Sequence, residues 1–267
     1  MLATPADNPY EEPRSGRLTA WGNALLAGLV PPDDAAAAVL GADEIHRVTD
    51  LPGDEPGEQH GLTWALGRLR VLGVKGLRLA LPSAGHPLGL TGPKAFNEQA
   101  MSAGEAVLAV GAPLGLVPEV EVYGPVGDRS ATVLWRCSEV NDTPPADVPS
   151  LNEAERELAD GLREATVMLT RLNVAGAGPE ALRALDAYRR RGHSKLLAPG
   201  YPPRAVRVLE SARQVSALLA IASGSHGAAV SASEMAARQS LLAPLRRTAR
   251  RAQVAAYNAL VDERDDR

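Results

Sequence analysis

The feature that most constrains this chain is a change of hydrophobic period at its middle. Before residue 141, apolar and polar side chains alternate over several short runs, which is the period of strands. After residue 150, apolar residues recur three and four apart, which is the period of helices. Between them lies the segment NDTPPADVPS, residues 141–150, with three prolines. Proline removes a backbone donor and fixes φ, so neither kind of element accommodates that density in its interior. The pattern predicts an α+β protein: a small mixed sheet flanked by helices in the N-terminal half, and a helical bundle in the C-terminal half. The organisation read from it is a disordered tail at 1–16, an α+β region at 17–140, a linker at 141–150 and the bundle at 151–267.

In the first half, residues 17–29 carry Leu18, Trp21, Leu25 and Leu29 on one helical face. Pro32 with Asp33 and Asp34 opens the next helix, because proline suits the first turn and acids suit the helix dipole there. Residues 41–60 are acidic and contain Gly and Pro, so they read as a surface loop with a short helical piece at Asp43–Val48. A helix follows with Leu62, Leu66, Leu69 and Leu72. Leu77, Leu79 and Leu81 then alternate as a strand, with Arg78 on its other face. The Gly- and Pro-dense loop 82–93 leads into a helix from Gly92–Pro93 to Ser102. Glu105–Val110 reads as a short buried strand. Val120 and Val122, then Ala131, Val133, Trp135 and Cys137, form an antiparallel hairpin across a Gly-containing turn.

In the second half, Ser150-Leu-Asn-Glu153 has the capping-box pattern, and Leu158, Leu162, Ala165, Leu169 and Leu172 line one face. Gly176, Gly178 and Pro179 break the helix and start another. Pro202–Pro203 opens a helix whose Ala205, Val208, Ala212, Val215, Leu219 and Ala222 repeat at bundle spacing. A further capping box, Ser231–Glu234, opens the last helix, with Leu242, Leu245, Ala249, Ala252, Ala256 and Leu260 as its face.

Composition narrows the class. Aromatic residues make up 3% of the 267 residues and Phe occurs once, so core volume comes from Leu, Val and Ala. A single cysteine, Cys137, excludes an internal disulfide framework and a Cys-cluster zinc site. No apolar run approaches the ~20 residues of a membrane span. The N-terminus is acidic and Pro-rich, unlike a secretory signal, and a cytoplasmic setting is expected. Residues 1–150 hold 10 basic and 19 acidic side chains, against 18 and 13 in residues 151–267. Such a split marks either an acidic-partner or nucleic-acid surface on the basic half, or docking of the halves on each other.

Candidate chemistry is sparse. His86, between Gly85 and Pro87 after a strand, is the one candidate catalytic base, with a tight connecting turn as the alternative. His226 in SGSHG lacks the strand-to-helix context of a nucleophile elbow. GAGPEA at 176–181 lacks the strand and the downstream acid of a dinucleotide fingerprint. Asp43, His46, Glu58 and His60 are ligand types within one acidic loop, but solvated side chains are the expectation, with no metal and no cofactor. Cys137 reads as a buried, inert thiol. Arg246, Arg247, Arg250 and Arg251 fan over one side of the last helix, beside its apolar stripe. They suit contact with an acidic partner or with phosphates, though no aromatic residue interleaves to stack on bases. Arg189, Arg190 and Arg191 form a second basic cluster.

The stretch LALPSAGHPLGLTGPKAFNEQAMSAGEAVLAVGAPLGLVPE, residues 79–119, resembles conserved actinobacterial proteins with no assigned function. The resemblance implies a bacterial cytosolic protein and nothing about activity. The function expected is therefore non-catalytic binding of a protein partner, or self-association, through the helical half. The rivals are a hydrolase-type enzyme using His86 at a sheet end, and a weak, non-specific nucleic-acid-binding regulator using the arginine helix.

Overall fold

A computed structural model describes residues 12–125, 128–141, 144–171, 197–224 and 232–265. Its elements, in chain order, are α1 (Arg14–Leu26), α2 (Pro32–Leu40), β1 (Ile45–Thr49), β2 (Gln59–Gly61), α3 (Leu62–Val71), β3 (Gly76–Ala80) and α4 (Lys94–Ala103). Then follow β4 (Ala106–Val110), β5 (Leu114–Tyr123), β6 (Ser130–Glu139), α5 (Leu151–Arg171), α6 (Pro203–Gly224) and α7 (Ala232–Asp265). The fold is α+β. The chain divides into two compact units. One comprises Met1–Asp147, Leu197–Pro202 and Tyr257–Arg267, and the other Val148–Leu196 and Pro203–Ala256.

The first unit is built on a six-stranded mixed sheet in the order β2-β1-β6-β5-β4-β3. Strands β5 and β6 form the expected hairpin, in register from Leu114↔Glu139 to Tyr123↔Ser130. Strand β1 runs parallel to β6, pairing Ile45↔Thr132 through Thr49↔Arg136, and β2 is antiparallel to β1. These two strands replace the loop and helical piece expected at 41–60. The polar spelling of His46-Arg47-Val48-Thr49 hid a strand, because the burial of His46 depends on partners distant in sequence. Helix α1 begins at Arg14, within the segment expected to be a tail, and ends at Leu26. Leu29 therefore leaves the helical face and stands 49% exposed.

The sheet separates two apolar layers. Strand β4 shows the division: Val107 and Ala109 join Leu18, Leu66, Leu77 and Trp135 in the larger cluster. Ala106 and Leu108 join Phe96, Ala100 and Val117 in the smaller one. Along β6, Ala131, Val133, Trp135 and Cys137 all face the larger layer. Trp135 is wholly buried, a side chain worth roughly 3 kcal/mol or more by burial alone.

Strand β3 is an edge strand buried along its whole length. Two asparagines take the place of a neighbouring strand. Asn23 of α1 accepts from the Leu77 N–H at 2.7 Å and donates to the Leu77 carbonyl at 2.8 Å. Asn258 of α7 does the same for Leu79, at 2.7 and 3.2 Å. Arg78, on the strand face opposite Leu77 and Leu79, is also buried, with Nε 3.0 Å from the Asp262 carboxylate. The outer hydrogen-bonding groups of Leu77 and Leu79 are thus satisfied, as buried backbone requires.

In the second unit the capping box forms at the start of α5. Ser150 N–H donates to Glu153 Oε2 at 2.9 Å, and Glu153 N–H lies 3.4 Å from Ser150 Oγ. On α6, Ala205, Val208, Ala212, Val215 and Leu219 are buried, as are Leu242, Leu245, Ala249, Ala252 and Ala256 on α7. Gly161 of α5 lies directly under Leu245, where any Cβ would collide. Close approach through small residues is how this Ala-rich palette packs helices. Glu155 of α5 pairs with Arg204 at 3.2 Å and Arg207 at 3.3 Å on α6. The expectations at residues 176–191, at His226 and at Ser231 lie outside the described residues.

Candidate functional site

The first constellation is a buried ionic cluster around Asp43, in the turn between α2 and β1. The first turn of α1 presents Arg14 and Arg17 to it. Arg14 grips the carboxylate with Nε at 2.9 Å and Nη2 at 2.6 Å, Arg17 adds Nη2 at 2.6 Å, and His46 Nε2 lies at 3.0 Å. The His46 ring also accepts at Nδ1 from Trp135 Nε1, at 3.2 Å. Indole N–H only donates, so Nδ1 is the acceptor and Nε2 carries the proton donated to Asp43. Burial opposes ionisation of Asp43. The bonds from His46 and Arg14 and the charges of both arginines overcome it and hold the carboxyl well below the ordinary range. Burial also depresses the pKa of His46, against the pull of Asp43.

Two details fix this cluster. Arg17 Nη1 donates to the Leu40 carbonyl at 3.1 Å, lying against Gly41, whose φ is +58°. A side chain there would meet both a disallowed backbone and the guanidinium. At the start of α1, Ser15 N–H donates to Glu105 Oε2 at 2.7 Å, a carboxylate at a helix N-terminus. Glu105 is wholly buried, and that burial raises its pKa to about 7 in spite of Ser15 and the nearby arginines.

The second constellation lies in the hairpin between β1 and β2. Leu51-Pro-Gly-Asp54 and Glu55-Pro-Gly-Glu58 are consecutive turns, each closed by an N–H to carbonyl bond of 3.0 Å. Gly53 and Gly57 have φ of +89° and +81°, as a Pro-Gly turn requires at its third position. Each turn ends on an acid, and β2 then places His60 beside both. The His60 ring stacks on Trp64 of α3, centroids 3.6 Å apart. Asp54, Glu58 and His60 bring a ligand atom each to within 4.8 Å of one another. Of the four ligand types read from sequence, Asp43 and His46 belong to the ionic cluster, while Glu58 and His60 join Asp54. Asp54 was missed; the paired Pro-Gly turns with acids at their ends were the available signal.

The remaining candidates stand apart. His86 sits in a tight turn, its backbone exchanging two hydrogen bonds with Ser83 at 2.8 and 2.9 Å. Its side chain is half-buried and, among the described residues, no carboxylate or hydroxyl bonds to it. Cys137 is buried, and burial pushes its thiol up to about 12. On α7, Arg246 and Arg247 are exposed, whereas Arg250 and Arg251 are half-buried. Burial lowers the pKa of Arg250.

Among the described residues no helix is long and apolar enough to cross a membrane. No solved structure matches the chain significantly. Two proteins of Mycobacterium tuberculosis are similar to it. The uncharacterized protein Rv1486c of strain ATCC 25618 / H37Rv is 27% identical over 199 residues, 63% of this chain and 68% of the relative. The uncharacterized protein MT1533 of strain CDC 1551 / Oshkosh is 27% identical over 191 residues, 60% of this chain and 65% of the relative. Residues 15–149 match the N-terminal domain of the Rv1486c-like proteins, and residues 152–254 match their C-terminal domain. With its sheet-bearing and helical segments matched by the two domains of one family, the chain belongs to the Rv1486c-like protein family.

Proposed function

We propose that this is a cytoplasmic, non-catalytic partner-binding protein, and that α7 of the helical unit engages an acidic protein surface. The observation that carries the reading is the exposure of adjacent Arg246 and Arg247 on a helix with no acid between residues 235 and 261. A basic strip of this kind attracts an anionic surface over the Debye length and loses that attraction with salt. The sheet unit supports the same reading, because Asp43, His46 and Cys137 are engaged or buried within the fold. A hydrolase at His86 has less support, since general-base work needs an orienting partner for the ring.

The test is fluorescence anisotropy with a labelled polyglutamate peptide and, separately, a short DNA duplex, each at several salt concentrations. Salt-sensitive binding of the peptide, lost in the Arg246→Gln/Arg247→Gln variant, is the expected result. Preference for the duplex makes the protein a nucleic-acid-binding regulator instead. Binding to neither, or binding untouched by the substitutions, overturns the reading. Sedimentation of the same two proteins asks whether a second copy is the partner: self-association lost in the variant identifies it.

A further inference from the structure

We propose that Asp54, Glu58 and His60 form a binding site for a divalent transition-metal ion, of which zinc is the natural probe. The inference is independent of the partner surface on α7. It starts from what these side chains fail to do. The Asp54 side chain is only 7% exposed and that of His60 16% exposed, and their nearest atoms, Oδ2 and Nε2, are 3.1 Å apart. Yet neither atom has a hydrogen-bond partner. The two atoms lie within ion-pair distance, yet make no hydrogen bond to each other. Buried polar atoms left without partners are costly and uncommon. Two of them facing each other at this distance are explained by a third atom bound to both.

The spacing suits a metal. In a tetrahedral zinc site, bonds of ~2.0–2.1 Å put neighbouring ligand atoms roughly 3.3 Å apart. Here the imidazole nitrogen is 3.1 Å from Asp54 Oδ2 and 3.7 Å from Glu58 Oε1. The donor set, one imidazole with two carboxylates, is that of zinc, manganese or iron and not that of a hard-cation cage. Three protein ligands leave a coordination position for water or an anion, on the side where Glu58 is 48% exposed.

The scaffold orients each ligand. Glu58 Oε2 accepts from the Glu55 N–H at 3.3 Å, leaving Oε1 toward His60. The Leu51–Asp54 turn is clipped by Arg68, whose Nη2 donates to the Pro52 carbonyl at 2.8 Å. Gly53 holds a φ of +89°, which disfavours any side chain there, and a Cβ would also come 2.8 Å from that nitrogen. The His60 ring is set by its stack on Trp64 and by the register of β2 on β1. These supports are the outer contacts that hold metal ligands in place.

The experiment is isothermal titration of the untagged, chelator-treated full chain with zinc chloride. One ion per chain is expected. His60→Gln and Asp54→Asn should each weaken binding by on the order of 100-fold, while His86→Gln binds as the parent does. Circular dichroism confirms that the variants are folded. A second readout is visible absorption of the cobalt-loaded protein, whose tetrahedral bands disappear with His60→Gln. No saturable binding, or equal affinity in the parent and both ligand variants, overturns the proposal. Unequal retention that follows another histidine moves the ion elsewhere and overturns it equally.

Discussion

Asp43 and Asp54 flank the same strand, each beside a histidine, and the fold uses them in opposite ways. Asp43 accepts from three side chains, two on the first turn of α1 and one on β1, and its histidine is bonded at both nitrogens. Asp54 is as deeply buried, but its Oδ2 and the Nε2 of His60 have no hydrogen-bond partner. Residue type is the same in both places, so type alone does not distinguish a structural cluster from a ligand site. Saturation does. A carboxylate whose lone pairs are already filled by buried donors has nothing left to offer an ion, whereas one that is buried and unfilled has everything to offer it.

That contrast is open to measurement, and the largest effect belongs to Asp43. Asp43→Asn leaves the Arg14 and Arg17 charges uncompensated in the interior and should cost ~3–5 kcal/mol in denaturant unfolding. A loss below about 1 kcal/mol would mean that water, not Asp43, compensates those arginines. Glu105 sharpens the comparison through pH. Its pKa is raised in the folded state to about 7, so its contribution is complete below the ordinary carboxyl value and is lost as pH rises through 7. The parent should therefore lose on the order of 3 kcal/mol between pH 4.5 and 7 relative to Glu105→Gln, which keeps an acceptor for Ser15 without the charge. A parallel pH profile for the two proteins would place Glu105 in contact with solvent.

Gly41→Ala comes next. It strains a backbone at φ +58° and displaces Arg17 from Asp43, for an expected ~1–3 kcal/mol. Thermal melting resolves it, and an unchanged melting temperature would show that Arg17 bonds Asp43 without help from the glycine. The smallest effect is the counterpart of the first. Without metal, Asp54→Asn should change stability by no more than ~0.5 kcal/mol, because no hydrogen bond is lost. A large destabilisation in chelated protein would make Asp54 a second Asp43.

Much of the architecture is legible from local pattern. Pro32 before two acids, the Ser150–Glu153 box and the Leu242–Ala256 face each encode an element within a few residues, and each is found. What escaped depends on distant partners. His46 reads as a loop residue until Trp135, 89 positions on, is placed against it. The burial of Arg78 has no local signal, because its partner Asp262 lies 184 positions on. Two of the three members of the metal-type cluster, Glu58 and His60, were visible because histidine and glutamate stand out in a loop. Asp54 was not, because only the closing of both Pro-Gly turns brings it to them. The arginines of α7 were legible as a strip, but their unequal exposure was not, since a helical wheel does not say how far neighbouring helices reach around it.

The asparagines on β3 carry a consequence for the order in which the molecule is made. Asn258 and Leu79 are 179 residues apart, and the Glu12–Tyr257 bond spans 245. A ribosome making this chain releases the sheet long before it releases the segment that seals one of its edges. During that interval Leu79 presents an open row of backbone groups, a template for another strand. The second unit is synthesised entirely within that interval, so completion of the first must wait for it. Folding rate should accordingly reflect closure of this very long loop and not the short-range helices and hairpin that form first.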